Sequence, residues 1–164
     1  MNVKSSIAVI NTSPWISLSL CGRIDLLKDL YDKILIPPAV KEEIAAGGKS
    51  QIGVQELETA TWLQIVGIRD SVKASLLHEL DRGEAEVIIL AQEQTVAEVI
   101  IDEKVARMQA LVLGLKVVGT LGLLLRAKKR GFIYEIRPLI DKILEGGIHI
   151  HEDIIHGILR EAGE

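Results

Sequence analysis

The stretch Ile7-Ala-Val-Ile-Asn-Thr-Ser-Pro14 decides the fold class. Four successive apolar residues with no polar alternation suit a strand buried on both faces, as in a parallel sheet covered by helices. Asn11-Thr-Ser ends the run, and Pro14 fits the first turn of a helix that Ser13 can cap. A strand feeding directly into a helix is the opening of a βαβ unit. The same grammar recurs downstream. Lys33-Ile-Leu-Ile36, Trp62-Leu-Gln-Ile-Val66, Glu98-Val-Ile-Ile101 and Lys116-Val-Val118 read as strands, with the Trp62 run at a sheet edge. Apolar spacing and punctuation by Gly and Pro predict helices over 24–30, 39–46, 54–60, 71–77, 84–94, 103–113, 121–130, 137–144 and 152–162. The fold class is α/β: a three-layer α/β/α sandwich with a central parallel sheet of four to five strands. No linker divides the chain, and its C-terminal third is unusually helical.

Length and composition set limits on this reading. The chain has 164 residues, one domain's worth, with 48% hydrophobic and 26% charged residues, which excludes a disordered chain. Aromatics are only 3%, so the core must be built from Leu, Ile, Val and Ala. The net charge of −4 excludes a basic protein that coats duplex nucleic acid, though not a local basic patch. Cys21 stands alone, so no internal disulfide is expected and a reducing, cytoplasmic setting fits. No apolar leader is read at the start. The most apolar stretch, 110–125, is broken by Lys116 and three glycines and is too short for a membrane span.

Ligands of open parallel sheets collect beyond the C-terminal ends of the strands. Asn11, Thr12 and Ser13 follow the first strand there, and Asp102 and Glu103 follow Val99-Ile-Ile101. Glu42 and Glu43 lie on the helix after the second strand, and Glu84 and Glu86 begin the helix after Gly83. Gathered carboxylates repel one another, and a hard divalent cation relieves that repulsion through oxygen ligands. Such an ion activates water and neutralises charge on a phosphodiester. The simpler reading is that acids at helix N-termini complement the macrodipole. It weighs evenly for Glu42, Glu84 and Glu86, and less for Asp102 at a strand end.

Five segments in order resemble one known family. These are Asn11-Thr-Ser-Pro-Trp-Ile-Ser-Leu, Pro37-Pro-Ala-Val-Lys-Glu-Glu43, Asp81-Arg-Gly-Glu-Ala-Glu-Val-Ile, Ile100-Ile-Asp-Glu-Lys-Val-Ala-Arg107 and Gly119-Thr-Leu-Gly-Leu-Leu-Leu-Arg-Ala-Lys-Lys-Arg-Gly131. Together, from Ile7 to about Tyr134, they resemble PIN-domain proteins, in particular a prokaryotic subgroup close to VapC-type toxin ribonucleases. The resemblance implies a PIN-like sandwich over residues 1–134, with 135–164 a helical C-terminal extension packed on it, and an endoribonuclease dependent on Mg²⁺ or Mn²⁺, the toxin half of a toxin–antitoxin pair. Its partners would be RNA and a cognate antitoxin, with a homodimer as the assembly. Carried over residue by residue, the catalytic acids are Glu43, Glu84 and Asp102. The metal set is Asn11, Glu43, Glu84, Asp102 and Glu103. Glu103 stands as partner or substitute for Asp102, Glu42 as fallback for Glu43, and Ser13 supports the first position. One departure matters: the family's first acid is usually Asp, and here it is Asn11. An amide oxygen can ligate a cation but carries no charge. The alternative is therefore a PIN fold weakened or inactive in catalysis that binds RNA or protein. A third reading is a structural homo-oligomer joined through Ile16-Ser-Leu-Ser-Leu20.

Arg126, Lys128, Lys129 and Arg130 form the densest basic cluster, able either to grip RNA phosphates or to stabilise a helix C-terminus. Arg107 could contact phosphate or pair with Glu103. His149, His151 and His156 match no zinc spacing and read, like His78, as surface histidines. Trp15 and Trp62 read as core, and Cys21 as a small buried hydrophobe. No phosphate-binding glycine loop follows any strand.

Overall fold

A computed structural model describes residues 6–164. The absence of a leader, as it concerns residues 1–5, lies outside them. The fold is built on β1 (Ile7–Ile10), β2 (Lys33–Ile36), β3 (Leu63–Ile65), β4 (Glu98–Ile100) and β5 (Val117–Val118), all parallel in the order β3-β2-β1-β4-β5. The sheet is thus five-stranded, with the Trp62 segment at one edge as its composition implies. β1 pairs Ala8 with Ile34 on one side and with Glu98 on the other. Ala8, Val9 and Ile10 are completely buried, as unalternated apolar strands under two helical layers should be.

The helices are α1 (Thr12–Leu20), α2 (Leu26–Leu30), α3 (Pro38–Ala46), α4 (Val54–Thr59), α5 (Ser71–Ser75), α6 (Arg82–Gln94), α7 (Lys104–Val112), α8 (Thr120–Lys129), α9 (Arg137–Glu145) and α10 (Glu152–Glu161). Pro38 opens α3 at its first position, where the missing N–H is one the helix could not use anyway. α6 is buried along Ala85–Ala91 and packs on β1, β4 and α3. The core is aliphatic apart from Trp15, Cys21 and Tyr31. Trp15 and Trp62, remote in sequence, meet with ring centroids 6.0 Å apart, and Trp15 Nε1 donates to Gly53 O at 3.0 Å.

Two expectations are corrected here. Ser13 does not cap α1: the helix starts at Thr12 with Asn11 at the N-cap, so Ser13 lies inside the first turn and its hydroxyl turns elsewhere. The Ile16–Leu20 helix is no intermolecular face either, because α1 is covered by α3, α8 and α9. Leu20 lies so close to Gly146 of the α9 end that a Cβ there would overlap its side chain. Exposed apolar side chains gather instead on α7, at Val105, Met108 and Val112. Among the described residues no helix is long and apolar enough to cross a membrane.

Candidate functional site

β1 and β4 are neighbours at the middle of the sheet and end level with one another: Asn11 N donates to Ile100 O at 3.0 Å. The residues that follow both strands therefore arrive at one place. Glu103 becomes its hub. Asn11 Nδ2 donates to Glu103 Oε2 at 3.2 Å, and the Ser13 hydroxyl donates to Glu103 Oε1. The buried amide and the serine thus fix a half-buried carboxylate across 90 or more residues of sequence.

α3 and α6 pack together and bring Glu43 and Glu84 to the same end. Gly83 permits the approach, since a Cβ there would stand 3.0 Å from Glu43 Oε2. Glu84 also belongs to a capping box, its N–H donating to Asp81 Oδ1 at 2.8 Å while its Oε1 accepts from Asp81 N at 3.1 Å. Burial, followed by the Asp81 charge and that of Glu103, pushes the Glu43 carboxyl above its ordinary range. The Thr12 hydroxyl faces Glu43 and offsets part of this rise, but it is out of hydrogen-bonding geometry and its buried Oγ1 has no partner. Glu84 is raised too, chiefly by burial, with Asp81 and Glu103 adding repulsion that an N–H bond at Asp81 partly offsets. Among the described residues, no Lys, Arg or His lies within ion-pair distance of Glu43, Glu84 or Glu103.

Asp102 is held by Thr120 instead. Its Oδ1 accepts from Thr120 N at 2.8 Å and its Oδ2 from the Thr120 hydroxyl at 2.7 Å, so it ties the end of β4 to the start of α8. Solvent reaches it, yet it lies crowded by protein in the lining of a cavity. That crowding raises its carboxyl, with Thr120 pulling it down and the Glu103 charge adding to the rise.

Other candidates are engaged elsewhere. Glu42 pairs with Arg82 at 3.3 Å and Glu86 with the same arginine at 3.0 Å, so neither joins the acid group. Arg126 is committed to Glu98, which also receives the Tyr31 hydroxyl, and Lys128 is committed to Glu164 at 3.0 Å. Of the basic cluster, Lys129 and Arg130 remain exposed, Arg130 over the Phe132 ring at 5.2 Å. Arg107 makes no ion pair with Glu103. It donates through Nη1 to Ile101 O at 2.9 Å. His151 Nδ1 accepts from Asp153 N at 3.2 Å, capping α10, and all four histidines are exposed. Thr12 lies at the strand end that the sequence marks for ligands, whereas Asp81 is an added neighbour, signalled only by the Asp-x-x-Glu spacing of 81–84.

A family model described as PIN domain matches residues 7–164. The chain belongs to the PIN-domain family. The PIN domain is a nuclease fold, generally dependent on divalent metal. Among solved structures the chain is similar to a PilT N-terminus domain protein from the hyperthermophilic archaeon Sulfolobus solfataricus P2. The two are 18% identical, with 88% of this chain and 99% of that chain covered, at a TM-score of 0.47. No curated protein matches.

The acid group of this PIN domain suits such a metal by its chemistry. Every donor is an oxygen, the carboxylates repel, and Asn11 Oδ1 is left free once Nδ2 has bonded Glu103. Among the described residues no three His, Cys, Asp or Glu side chains converge closely enough to hold an ion directly. Mg²⁺ commonly keeps several of its waters, and the unpartnered Thr12 Oγ1 beside Glu43 is a hydroxyl suited to one of them.

Proposed function

We propose that this PIN domain is an endoribonuclease dependent on Mg²⁺ or Mn²⁺, working in the cytoplasm as the toxin half of a toxin–antitoxin pair. The observation that carries the reading is that Glu43 and Glu84 each feel the charge of Glu103, with no protein cation within ion-pair distance of any of the three among the described residues. These three would hold the ion largely through its retained waters, with Asn11 Oδ1 as a neutral fourth acceptor. When bound, the ion makes attacking water more acidic and offsets charge on the phosphodiester. Asn11 and Ser13 keep Glu103 turned toward the site, so its orientation does not depend on the ion. Burial and neighbouring carboxylates raise the Glu43 and Glu84 carboxyls, a repulsion that a bound cation would relieve. In this reading Glu103 occupies the place in the acid set for which Asp102 was the first candidate.

The test is cleavage of single-stranded RNA with Mn²⁺, compared with EDTA and with Glu103→Gln. Cleavage that needs the metal and falls by about two orders of magnitude or more in the variant supports the reading. Equal cleavage by both proteins, or cleavage that survives EDTA, overturns it.

A second reading has its own observation. Asn11 brings an amide where an acid would add charge, and no three acids converge directly. A fold with that site can bind RNA without cutting it. RNA binding with no cleavage at any Mn²⁺ concentration would select this alternative.

A further inference from the structure

Beside the acid group lies a cavity of about 510 Å³, a size typical of small-ligand pockets. Its walls are mostly aliphatic, with Val118, Ile143, Ile148, Ile154 and Ile158 among them. Asp102 and Arg107 also line it, together with the exposed His149 and His151. Asp102 and Arg107 flank the bare Gly119: a Cβ there would stand 3.0 Å from Asp102 Oδ1 and 2.8 Å from Arg107 Nη1. They do not form an ion pair with each other.

Each has capacity left over. Thr120 takes one bond on each Asp102 oxygen, and a carboxylate oxygen accepts more than one. Arg107 uses Nη1 on Ile101 O, and among the described residues its other N–H groups are not engaged. An occupant that uses both groups must be apolar enough for these walls and must carry donors for Asp102 and acceptors for Arg107.

We propose that this cavity receives a guanine base of the RNA strand. Guanine places N1–H and the N2 amino group side by side, two donors that match one carboxylate. Its O6 and N7 form the acceptor pair that an arginine fork bonds. Unstacked bases of single-stranded RNA are read in this way, by hydrogen bonds to their edges within a pocket. Adenine, cytosine and uracil cannot satisfy both groups bidentately. The position suits a strand crossing the acid group, since Asp102 is the chain neighbour of Glu103, with Cα atoms about 3.8 Å apart across a trans peptide. The inference rests on the RNA reading above, but its test needs neither metal nor cleavage.

The experiment is titration of the full chain, without divalent metal, with the four nucleoside 5′-monophosphates, following labelled isoleucine methyl groups by NMR. The expected result is tighter binding of guanosine 5′-monophosphate by at least about tenfold, with shifts at Ile143, Ile148, Ile154 and Ile158. Arg107→Lys keeps the charge and loses the fork, so it should remove most of the preference. Ile154→Trp, at the exposed rim, should block all four ligands. Equal affinity for the four nucleotides, shifts away from these isoleucines, or a preference retained in Arg107→Lys would overturn the proposal. Guanine binding here without RNA cleavage would leave the pocket standing and remove only the nuclease reading.

Discussion

Asn11 Nδ2 donates to Glu103 Oε2 across 3.2 Å, so an amide sits against a carboxylate at the junction of β1 and β4. Asn11 is only 3% exposed, and an aspartate there would set one buried carboxylate against another. Asn11→Asp should lower stability by about 1–2 kcal/mol in EDTA, a repulsion of roughly one pKa unit or a little more. Mn²⁺ should return much of that loss, because an ion that binds only the folded state stabilises it by mass action. Urea denaturation with and without Mn²⁺ measures both effects. A variant as stable as the parent in EDTA would contradict the account of this contact.

Gly119 is the close-approach point between β4 and α8. Gly119→Ala would press a methyl group toward Asp102, which Thr120 pins, and toward Arg107, which can swing off Ile101 O. Overpacking of this kind costs about 1–3 kcal/mol, and the flexible arginine puts this site at the low end. Urea midpoints should show a modest loss, accompanied by shifted methyl signals around the cavity. An unchanged spectrum would mean that the methyl finds room.

Arg126 and Glu98 tie α8 to the start of β4, with the Tyr31 hydroxyl also on Glu98. The Glu98 side chain is 12% exposed and that of Arg126 38%. Arg126→Ala leaves the buried carboxylate without its cation and should cost about 1–2 kcal/mol, less than a fully buried pair because water reaches the arginine. Adding Glu98→Gln to Arg126→Ala should recover part of the loss. A double-mutant cycle with no coupling would show the pair to be energetically inert.

Glu164 supplies a pH dependence. Burial works to raise its carboxyl, but N–H bonds from Ile136 and Arg137 and the Lys128 ammonium outweigh burial and hold it below the ordinary range. A carboxyl depressed in the folded state stabilises the fold fully above its unfolded pKa, roughly 4.3 for Glu. The contribution fades as pH falls through the folded value. Glu164→Gln should therefore lower thermal stability near neutrality and make no difference in strong acid, as melting curves across pH 2–7 would reveal. A penalty that persists unchanged in acid would rule out this ionic origin.

Much of the fold was legible because its strands are buried on both faces, and Ile7–Ile10 and Lys33–Ile36 match their predicted limits. The α6 boundary shifted from 84 to Arg82 because Asp81 caps the helix, a local bond that apolar spacing does not register. The four chain segments of the candidate site could be named from topology alone. Which side chains face inward could not. Asp102 and Glu103 are adjacent and chemically alike, and only the tertiary partners, Thr120 for one and Asn11 with Ser13 for the other, separate them. The basic cluster likewise looked uniform in sequence, while distant Glu98 and Glu164 divide it into engaged and exposed members.

The account stands on Glu43, Glu84 and Glu103 acting together on a divalent cation. Mn²⁺ binding to the full chain, followed by electron paramagnetic resonance as free ion disappears, measures this directly. A single saturable site, abolished or weakened at least about tenfold by Glu103→Gln and untouched by Glu42→Gln, is the predicted result. Saturable binding that Glu103→Gln leaves intact, or none at millimolar Mn²⁺, would contradict it.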